Sequence, residues 1–335
     1  MGFAMHQTHT SDEQLMRQAI AAAARVRGST SPNPWVGCVI QAADGTRYEG
    51  ATRPPGGAHA EAVALEHAGS AAAGATLACT LEPCPHRGRT GPCADAVIAA
   101  GVARVVVGIE DPDPHVRGRG IARLRDAGLD VTVGVCAGQV TAQLEPYLKH
   151  RRTGRPWVIL KLAASFDGRI AAPDGSSTWI TGEDARADAH RLRAESDAVL
   201  VGAGTVRADD PQLTVRLVSG PDPRRVVLGR APEHARVHPA LELAGDPGHV
   251  LDELGAKGVL QVLVEGGATV AAGFHRAGLV DRYVLYLAPA LFGGDDGRAM
   301  FAGPGAATMD EIWRGRILSV DRLGADVKIV LEGVT

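Results

Sequence analysis

Four side chains in the first third of the sequence have the types and the spacing to bind and use a metal ion. His59 and Glu61 form an H-x-E pair, Cys84 follows a proline, and Cys93 lies nine residues further on. An imidazole and two thiolates are good zinc ligands, and a set of three leaves one coordination position open for water. We therefore predict that His59, Cys84 and Cys93 bind a catalytic zinc ion, with Glu61 beside it as an unligated carboxylate.

Two interpretations without a catalytic role are also possible for these residues. The residues could be ordinary buried side chains, or they could build a structural zinc site, which usually has four protein ligands. His86 is the nearest candidate for a fourth ligand, and we expect Cys79 to point into a sheet. The combination of H-x-E with P-C is typical of zinc nucleobase deaminases, in which the Glu moves protons and does not bind metal. We expect Glu61 to take a proton from water and deliver it to the substrate ring and then to departing ammonia.

The positions of these residues require particular helix ends. His59 and Glu61 would diverge by about 200° on a regular helix, so both should lie at the start of a helix over residues 59–68. Cys84 and Cys93 each lie where a loop meets a helix, and the partial positive charge of a helix N-terminus favours thiolate. A capping-box pattern at Ser11 predicts the start of the first helix.

The remaining hydrophobic patterns predict an alternation of strands and helices, which is typical of an α/β layered sheet. In the first half we expect helices over residues 11–27, 93–100, 121–127 and 139–148, and strands over residues 35–41, 46–50, 75–81, 103–109 and 130–135. In the second half we expect helices over residues 183–193 and 249–254, and strands over residues 157–162, 198–201, 225–228, 260–264, 283–287, 317–323 and 327–331. The division that follows is a flexible tail over residues 1–10, a first domain over 11–148, a basic linker over 149–156 and a second domain over 157–335.

Composition narrows the classes of partner. Of the 335 residues, 35 are Lys or Arg and 38 are Asp or Glu, so the formal charge of −3 provides no broad basic surface for nucleic acid or for an anionic membrane. We expect a small-molecule substrate and no membrane partner. Five cysteines are an odd number, and the N-terminus lacks the apolar core of a secretory signal. We therefore expect a reducing, cytoplasmic location without a disulfide framework.

The motifs of the first half resemble one enzyme family. P-N-P-W-V-G at residues 32–37, H-A-E at residues 59–61 and T-L-E-P-C-P-H-R-G-R-T-G-P-C at residues 80–93 are similar to the bifunctional pyrimidine deaminase/reductase family of riboflavin biosynthesis. The eight residues between the two cysteines are a discriminating detail, because many cytidine and tRNA-adenosine deaminases have only two. The resemblance implies a cytidine-deaminase-like three-layer αβα domain. It also implies substrate contacts from Asn33, His86 and Arg89, while Thr52 stands where the family often has a histidine.

The second half resembles the reductase domain of the same family, which has a dihydrofolate-reductase-like α/β fold. The motifs are K-L-A-A-S-F-D-G-R at residues 161–169, W-I-T-G at 179–182, A-D-D-P-Q-L-T-V-R at 208–216 and E-G-G at 265–267. Substrate contacts carried over by motif are Ser177, Arg193, Leu213, Arg216 and Glu265, with the arginines at a phosphate. NADPH contacts carried over in the same way are Ala163, Ala164, Trp179, Thr205, Asp209, Gly267, Ala268, Thr269 and Val270. The segment between Arg225 and Leu260 is shorter than is usual in the family.

The resemblance implies a bifunctional enzyme with one zinc ion and NADPH. It would deaminate 2,5-diamino-6-(5-phosphoribosylamino)pyrimidin-4(3H)-one and then reduce the ribosyl group, giving 5-amino-6-(5-phosphoribitylamino)uracil. We also expect a homo-oligomer. The alternatives are an active deaminase joined to a degenerate reductase domain that only binds nucleotide or mediates oligomerisation, a nucleic-acid-editing deaminase, and a non-catalytic zinc scaffold.

Overall fold

The computed structural model describes residues 2–86 and 91–334, with side chains from Ser11 onward. The chain divides into two compact units, Met1–Thr153 and Gly154–Thr335. The first unit contains the helices α1 (Gly2–Ala24), α2 (Ala60–Ala68), α3 (Cys93–Ala99), α4 (Arg119–Asp126) and α5 (Ala137–Thr153), with a short 3-10 turn at Gly69–Ala72. Its strands are β1 (Gly37–Gln41), β2 (Arg47–Ala51), β3 (Thr76–Leu81), β4 (Arg104–Ile109) and β5 (Asp130–Val133).

The five strands of this unit form one sheet in the order β2-β1-β3-β4-β5. The β1 strand pairs antiparallel with both neighbours, whereas β3, β4 and β5 are parallel. A Cβ at Gly37 would lie 1.9 Å from the carbonyl oxygen of Ala19 in α1, and one at Gly50 would lie 2.2 Å from that of Ala60 in α2. Because Cys38 pairs with Gly50, Gly37 and Gly50 face opposite sides of the sheet, so α1 and α2 cover opposite faces.

Two boundaries differ from the sequence prediction. The first helix begins at Gly2 rather than at Ser11, so it includes most of the segment expected to be a tail. Residues 2–10 contain no proline, and a serine can lie inside a helix, so the capping-box pattern alone could not set the start. The α5 helix, which is the last one of the first unit, extends to Thr153 and therefore includes much of the expected linker.

The second unit contains the helices α6 (Glu183–Ala194), α7 (Ala203–Asp209), α8 (Pro247–Ala256) and α9 (Ala268–Arg276). Its strands are β6 (Trp157–Ser165), β7 (Arg169–Ala171), β8 (Ala198–Gly202), β9 (Arg224–Leu228), β10 (Leu241–Leu243), β11 (Gln261–Val264), β12 (Arg282–Ala288), β13 (Arg298–Ala299), β14 (Gly315–Leu323) and β15 (Asp326–Gly333). The predicted strands and helices are present. The short strands β7, β10 and β13 were not predicted.

The main sheet of this unit has the order β10-β9-β8-β11-β6-β12-β15-β14, and β7 pairs separately with β13. The first six strands of this order, from β10 at the edge to β12, are parallel to one another. The β15 strand pairs antiparallel with β12, and β14 pairs antiparallel with β15. Alternate residues of β6 face two different cores, with Leu160 packed on the side of Phe274 and Ile159 on the side of Ala185. A sheet covered on both faces explains the nearly continuous apolar run of β6. Within the described residues, no helix is long and apolar enough to cross a membrane.

Candidate active sites

Three predicted zinc ligands lie together in the first unit. The Nδ1 atom of His59 is 3.3 Å from Sγ of Cys93 and 3.6 Å from Sγ of Cys84, and the three ligand atoms all lie within 4.8 Å of one another. Tetrahedral zinc with Zn–S of about 2.3 Å and Zn–N of about 2.0 Å separates neighbouring ligand atoms by roughly 3.5–3.8 Å. The donor set and its spacing therefore fit one zinc ion.

Two of the three ligands lie at the start of a helix, whereas Cys84 lies in the loop after β3 and not at the helix start that the sequence suggests. His59 is the N-cap of α2, with extended backbone at φ −75° and ψ 164°. Cys93 is the first residue of α3, and its backbone N–H donates to Sγ of Cys84 at 3.5 Å. Hydrogen bonding from Cys93 and from His59 lowers the pKa of the Cys84 thiol against the effect of burial. A thiolate is therefore favoured at Cys84, as a zinc ligand requires.

Glu61 lies in the first turn of α2 and is 4% exposed. Burial raises the pKa of its carboxyl group to about 7, and the negative charge of Cys84 adds to this effect. A carboxyl group with a pKa near neutrality can both accept and release a proton during a reaction cycle. The extended backbone of His59 allows both side chains of the H-x-E pair to reach one site, as their two-residue spacing requires.

The predicted substrate contacts of this unit are placed only in part. Asn33 is half-buried in a turn, where its N–H donates to the carbonyl oxygen of Thr30. His86 is exposed and lies outside the ligand group, and Arg89 lies outside the described residues. Thr52 is buried, and its hydroxyl accepts the N–H of Val36 at 3.1 Å. The residue that replaces the usual histidine thus anchors the segment that follows Asn33.

A second constellation lies at the carboxyl ends of parallel strands in the second unit. The β8 strand ends at Gly202 and leads into α7, while β11 ends at Val264 and leads into α9. The N–H of Gly267, which is the N-cap of α9, donates to Oγ1 of Thr205 in α7 at 3.2 Å. The turns that lead into these two helices are therefore neighbours. Ligands of open α/β sheets bind at this edge, where helix N-termini present free N–H groups.

A largely buried group of charges lies beside these turns. Arg193 forms a bidentate ion pair with Glu265, with Nε to Oε1 at 2.6 Å and Nη2 to Oε2 at 3.0 Å. Nζ of Lys161 is 3.9 Å from Oε2 of Glu265. Burial alone would raise the pKa of Glu265, but the charge and hydrogen bonds of Arg193, with the charge of Lys161, hold it below its usual value. The sequence prediction named Arg193 and Glu265 as substrate contacts, and the structure places the two side chains in contact with each other.

Two members of this group were not predicted. Lys161 interrupts the apolar run of β6, and a charge within a buried strand was the available signal. Burial lowers the pKa of its ammonium group. His190, on α6, accepts the backbone N–H of Arg216 at Nδ1 (2.9 Å), and burial followed by the charge of Arg193 lowers the pKa of its imidazole to about 4. Its contact with the 213–216 loop could not be seen from spacing.

The other predicted residues of the second unit are distributed along the same elements. Ser177 Oγ lies 3.4 Å from a carboxylate oxygen of Asp209 at the end of α7. Leu213 is buried with φ of 55°, and Arg216 is exposed. Trp179 is 72% exposed, and the centroid of its ring lies 4.7 Å from the guanidinium carbon of Arg186. Ala163 and Ala164 lie on β6, and Ala268, Thr269 and Val270 form the first turn of α9.

Comparison with known proteins supports two catalytic domains. A family described as "Cytidine and deoxycytidylate deaminase zinc-binding region" matches residues 9–109, and one described as "RibD C-terminal domain" matches residues 156–329. The riboflavin biosynthesis protein RibD of Mycobacterium tuberculosis (strain ATCC 25618 / H37Rv) is 44% identical over 339 residues, covering 96% of this chain and 97% of the relative. That of Escherichia coli (strain K12) is 38% identical over 365 residues, covering 96% and 99%.

Solved structures give the same result for the complete fold. The RibD structure of Acinetobacter baumannii (form 1) superimposes with a TM-score of 0.92 at 39% identity and covers 98% of this chain and 100% of that one. A diaminohydroxyphosphoribosylaminopyrimidine deaminase/5-amino-6-(5-phosphoribosylamino)uracil reductase from Thermotoga maritima superimposes with a TM-score of 0.89 at 33% identity, covering 98% and 100%. The α/β fold class and its order of domains are therefore confirmed. The chain belongs to the RibD family of riboflavin biosynthesis, with a zinc-binding deaminase domain followed by a reductase domain.

Proposed function

We propose that the first unit hydrolyses 2,5-diamino-6-(5-phosphoribosylamino)pyrimidin-4(3H)-one to its uracil analogue and ammonia. The second unit then reduces the ribosyl group with NADPH, giving 5-amino-6-(5-phosphoribitylamino)uracil. The observation that carries this proposal is the convergence of the three ligands beside a buried carboxyl group in a chain of this family. The activities named for the Thermotoga maritima structure, at 33% identity, support the substrate assignment.

In the deaminase unit, His59, Cys84 and Cys93 would hold the zinc ion. Zinc in such a site supplies an activated water and polarises the reacting centre. Glu61 would accept the first proton of that water and pass it to the ring nitrogen, and would then carry the second proton, from the added hydroxyl group, to the departing amino group. Its burial keeps bulk water from replacing it, and a pKa of about 7 allows both steps near neutral pH.

We assign substrate binding in the first unit to Asn33, His86 and Arg89. Arg89 suits the phosphate, because its guanidinium is a permanent planar donor. Asn33 and His86 would contact the base or ribose. Thr52 supports this region indirectly through its hydrogen bond to the Val36 backbone.

In the reductase unit, the chain offers a suitable site for NADPH. The first turn of α9 (Ala268, Thr269, Val270) presents backbone N–H groups suited to a phosphate. The N-cap Gly267 and Thr205, joined by the hydrogen bond from the Gly267 N–H to Oγ1, lie at the same end of the helix and belong to the proposed cofactor contacts. Ala163, Ala164, Trp179 and Asp209 complete the proposed cofactor contacts. NADPH supplies the hydride, and the protein contributes position and electrostatics.

We assign the substrate of the second unit to Ser177, Arg193, Leu213, Arg216 and Glu265. The structure suggests a division between the two arginines. Arg193 is committed to Glu265 and to the carbonyl oxygen of Thr214, whereas Arg216 is exposed. Arg216 is therefore the better candidate for the phosphate, and Arg193 orients Glu265. The ion pairs that Glu265 forms with Arg193 and Lys161 favour an active reductase over a degenerate one.

A coupled assay on the purified chain tests the proposal. Ammonia release and NADPH oxidation are followed from the diaminopyrimidinone substrate, with and without a zinc chelator. We expect both signals without chelator. Ammonia release that survives complete metal removal would contradict the deaminase assignment, and an absence of NADPH oxidation with deaminated substrate would favour the degenerate reductase.

We also propose that the chain forms a homo-oligomer and works in the cytoplasm. The edge strand β14 carries apolar side chains in water, with Ile317 61% exposed and Val320 60% exposed. An unpaired apolar edge is usually covered in the working assembly. None of the five cysteines forms a disulfide, which is typical of proteins from a reducing compartment. Light scattering of the purified chain gives the oligomer mass, and a monomer at micromolar concentration would contradict this assignment.

A further inference from the structure

Glu82 is a buried carboxylate in the first unit that the proposed chemistry does not use. It follows β3, lies two residues before the ligand Cys84 and is 3% exposed. Its two oxygens accept hydrogen bonds from four backbone N–H groups. The donors are Asp111 at 3.2 Å and Gly118 at 2.9 Å on Oε2, and Gly120 at 2.8 Å and Ile121 at 3.1 Å on Oε1.

These four donors come from one stretch of chain, the loop after β4 and the first turn of α4. The first amides of a helix have no partner within the helix, and they carry partial positive charge. Glu82 supplies an acceptor and a compensating negative charge there. Its own N–H donates to the carbonyl oxygen of Ile109 at the end of β4 (3.0 Å). The residue thus joins the end of β3, the end of β4 and the start of α4.

A second observation at the same place is independent of these hydrogen bonds. A Cβ added at Gly120 would lie 1.9 Å from the carbonyl oxygen of Pro83. The first turn of α4 therefore contacts the residue directly before Cys84, at a distance that only glycine permits. Glu82 holds this turn in place, and the turn in turn limits where the backbone of Pro83 and Cys84 can go.

We propose that Glu82 and Gly120 act as a clamp that sets the position of Cys84 for zinc binding. Glu82 is a positioning residue and does not contact the metal or the substrate. The inference rests on the proposed zinc site. Groups that orient metal ligands typically contribute about 10-fold to 100-fold in metal affinity or activity, and we expect the clamp to fall in this range.

The test compares Glu82→Gln with Asp12→Asn in the full chain. In Glu82→Gln an amide NH₂ replaces one acceptor and faces backbone donors. Asp12 is a matched control, because it is also a buried carboxylate of this unit, paired with Arg104, but it lies on α1, on the opposite face of the sheet from α2. Zinc affinity is measured by competition with a chromophoric chelator, and the Co²⁺-substituted proteins are compared by absorption spectroscopy.

We expect Glu82→Gln to weaken zinc binding by about 10-fold to 100-fold and to change the cobalt–thiolate bands. Gly120→Ala should have the same two effects, whereas Asp12→Asn should change only thermal stability. If Glu82→Gln fails to fold, Glu82→Asp, which withdraws the charge by one methylene, is measured in its place.

A Glu82 variant with wild-type zinc affinity and cobalt spectrum, but with lowered thermal stability, would show a merely structural role and overturn the clamp. The wild-type protein separates this result from a failure of the proposed function. If it bound no zinc and released no ammonia, the zinc-site assignment itself would be wrong, and the clamp with it.

Discussion

Replacing Glu61 with Gln removes the proposed proton carrier while changing little else. The side chain is 4% exposed in the first turn of α2, and Gln has nearly the same shape, so the packing should be preserved. The three ligands His59, Cys84 and Cys93 are unchanged. We therefore expect a folded protein that still binds zinc and no longer deaminates its substrate.

The magnitude follows from the role and the surroundings of the carboxyl group. General acid–base catalysis typically contributes about 10²–10⁴ in rate, which corresponds to roughly 2.7–5.5 kcal/mol of activation free energy. Burial raises the pKa of Glu61 to about 7, so in the folded protein it exchanges protons near neutral pH, and an amide cannot. The same burial excludes buffer molecules that could replace it. We expect the loss to lie toward the upper end of this range.

The assay measures ammonia release per zinc-loaded chain. The oxidation of NADPH in the presence of deaminated substrate, which reports on the reductase unit, is the internal control. Glu66→Gln is the matched variant, because Glu66 lies on the same helix with a side chain that is 62% exposed. It should retain wild-type rates. A Glu61→Gln protein that binds zinc and keeps more than about a tenth of the wild-type rate would refute the proton-transfer role, since the expected loss is at least about a hundredfold.

Three further predictions concern the rest of the chain. Arg193→Lys loses the planar guanidinium that binds both carboxylate oxygens of Glu265, so the rate of NADPH oxidation should fall at least several-fold while ammonia release is unchanged. A variant that keeps the wild-type rate in both assays would contradict the assignment of Arg193 to the reductase site. Asp12→Ala should lower the free energy of unfolding, measured by chemical denaturation, by about 2–3 kcal/mol. This is less than the ~3–5 kcal/mol expected for a buried charge left without any partner, because Arg104 still contacts Asp130 and Thr132. A loss under about 0.5 kcal/mol would contradict this prediction. Burial, followed by the charge of Arg193, lowers the pKa of His190 to about 4, whereas in the unfolded chain the pKa is about 6.5. The contribution of the neutral imidazole to stability is therefore complete above pH ~6.5 and is lost as the pH falls toward 4. His190→Gln should flatten the free energy of unfolding between these pH values, and an unchanged pH dependence would contradict this.

The identity of the zinc ligands was accessible from sequence because the chemistry restricts the residue types strongly. Only a few side chains bind zinc, and the H-x-E and P-C patterns combine them at short spacing. The structure brings His59, Cys84 and Cys93 within 4.8 Å, as that pattern predicts. The alternation of strands and helices was equally accessible, because burial on one or both faces determines the apolar period. Short strands such as β10 and helix boundaries such as Gly2 were not, because they depend on packing or on weak local preferences.

The sequence by itself determined the family, the two catalytic domains and the residues that can do the chemistry. Those properties reside in side-chain identity and local pattern. Only the tertiary structure decided how Glu82 meets the first turn of α4 and how Lys161 and Arg193 face Glu265. These partners are separated by about 30 to 100 residues, and no local pattern specifies which of the many available amides or charges a buried group will meet. Packing makes that choice, because a buried polar group is stable only where a partner is within reach.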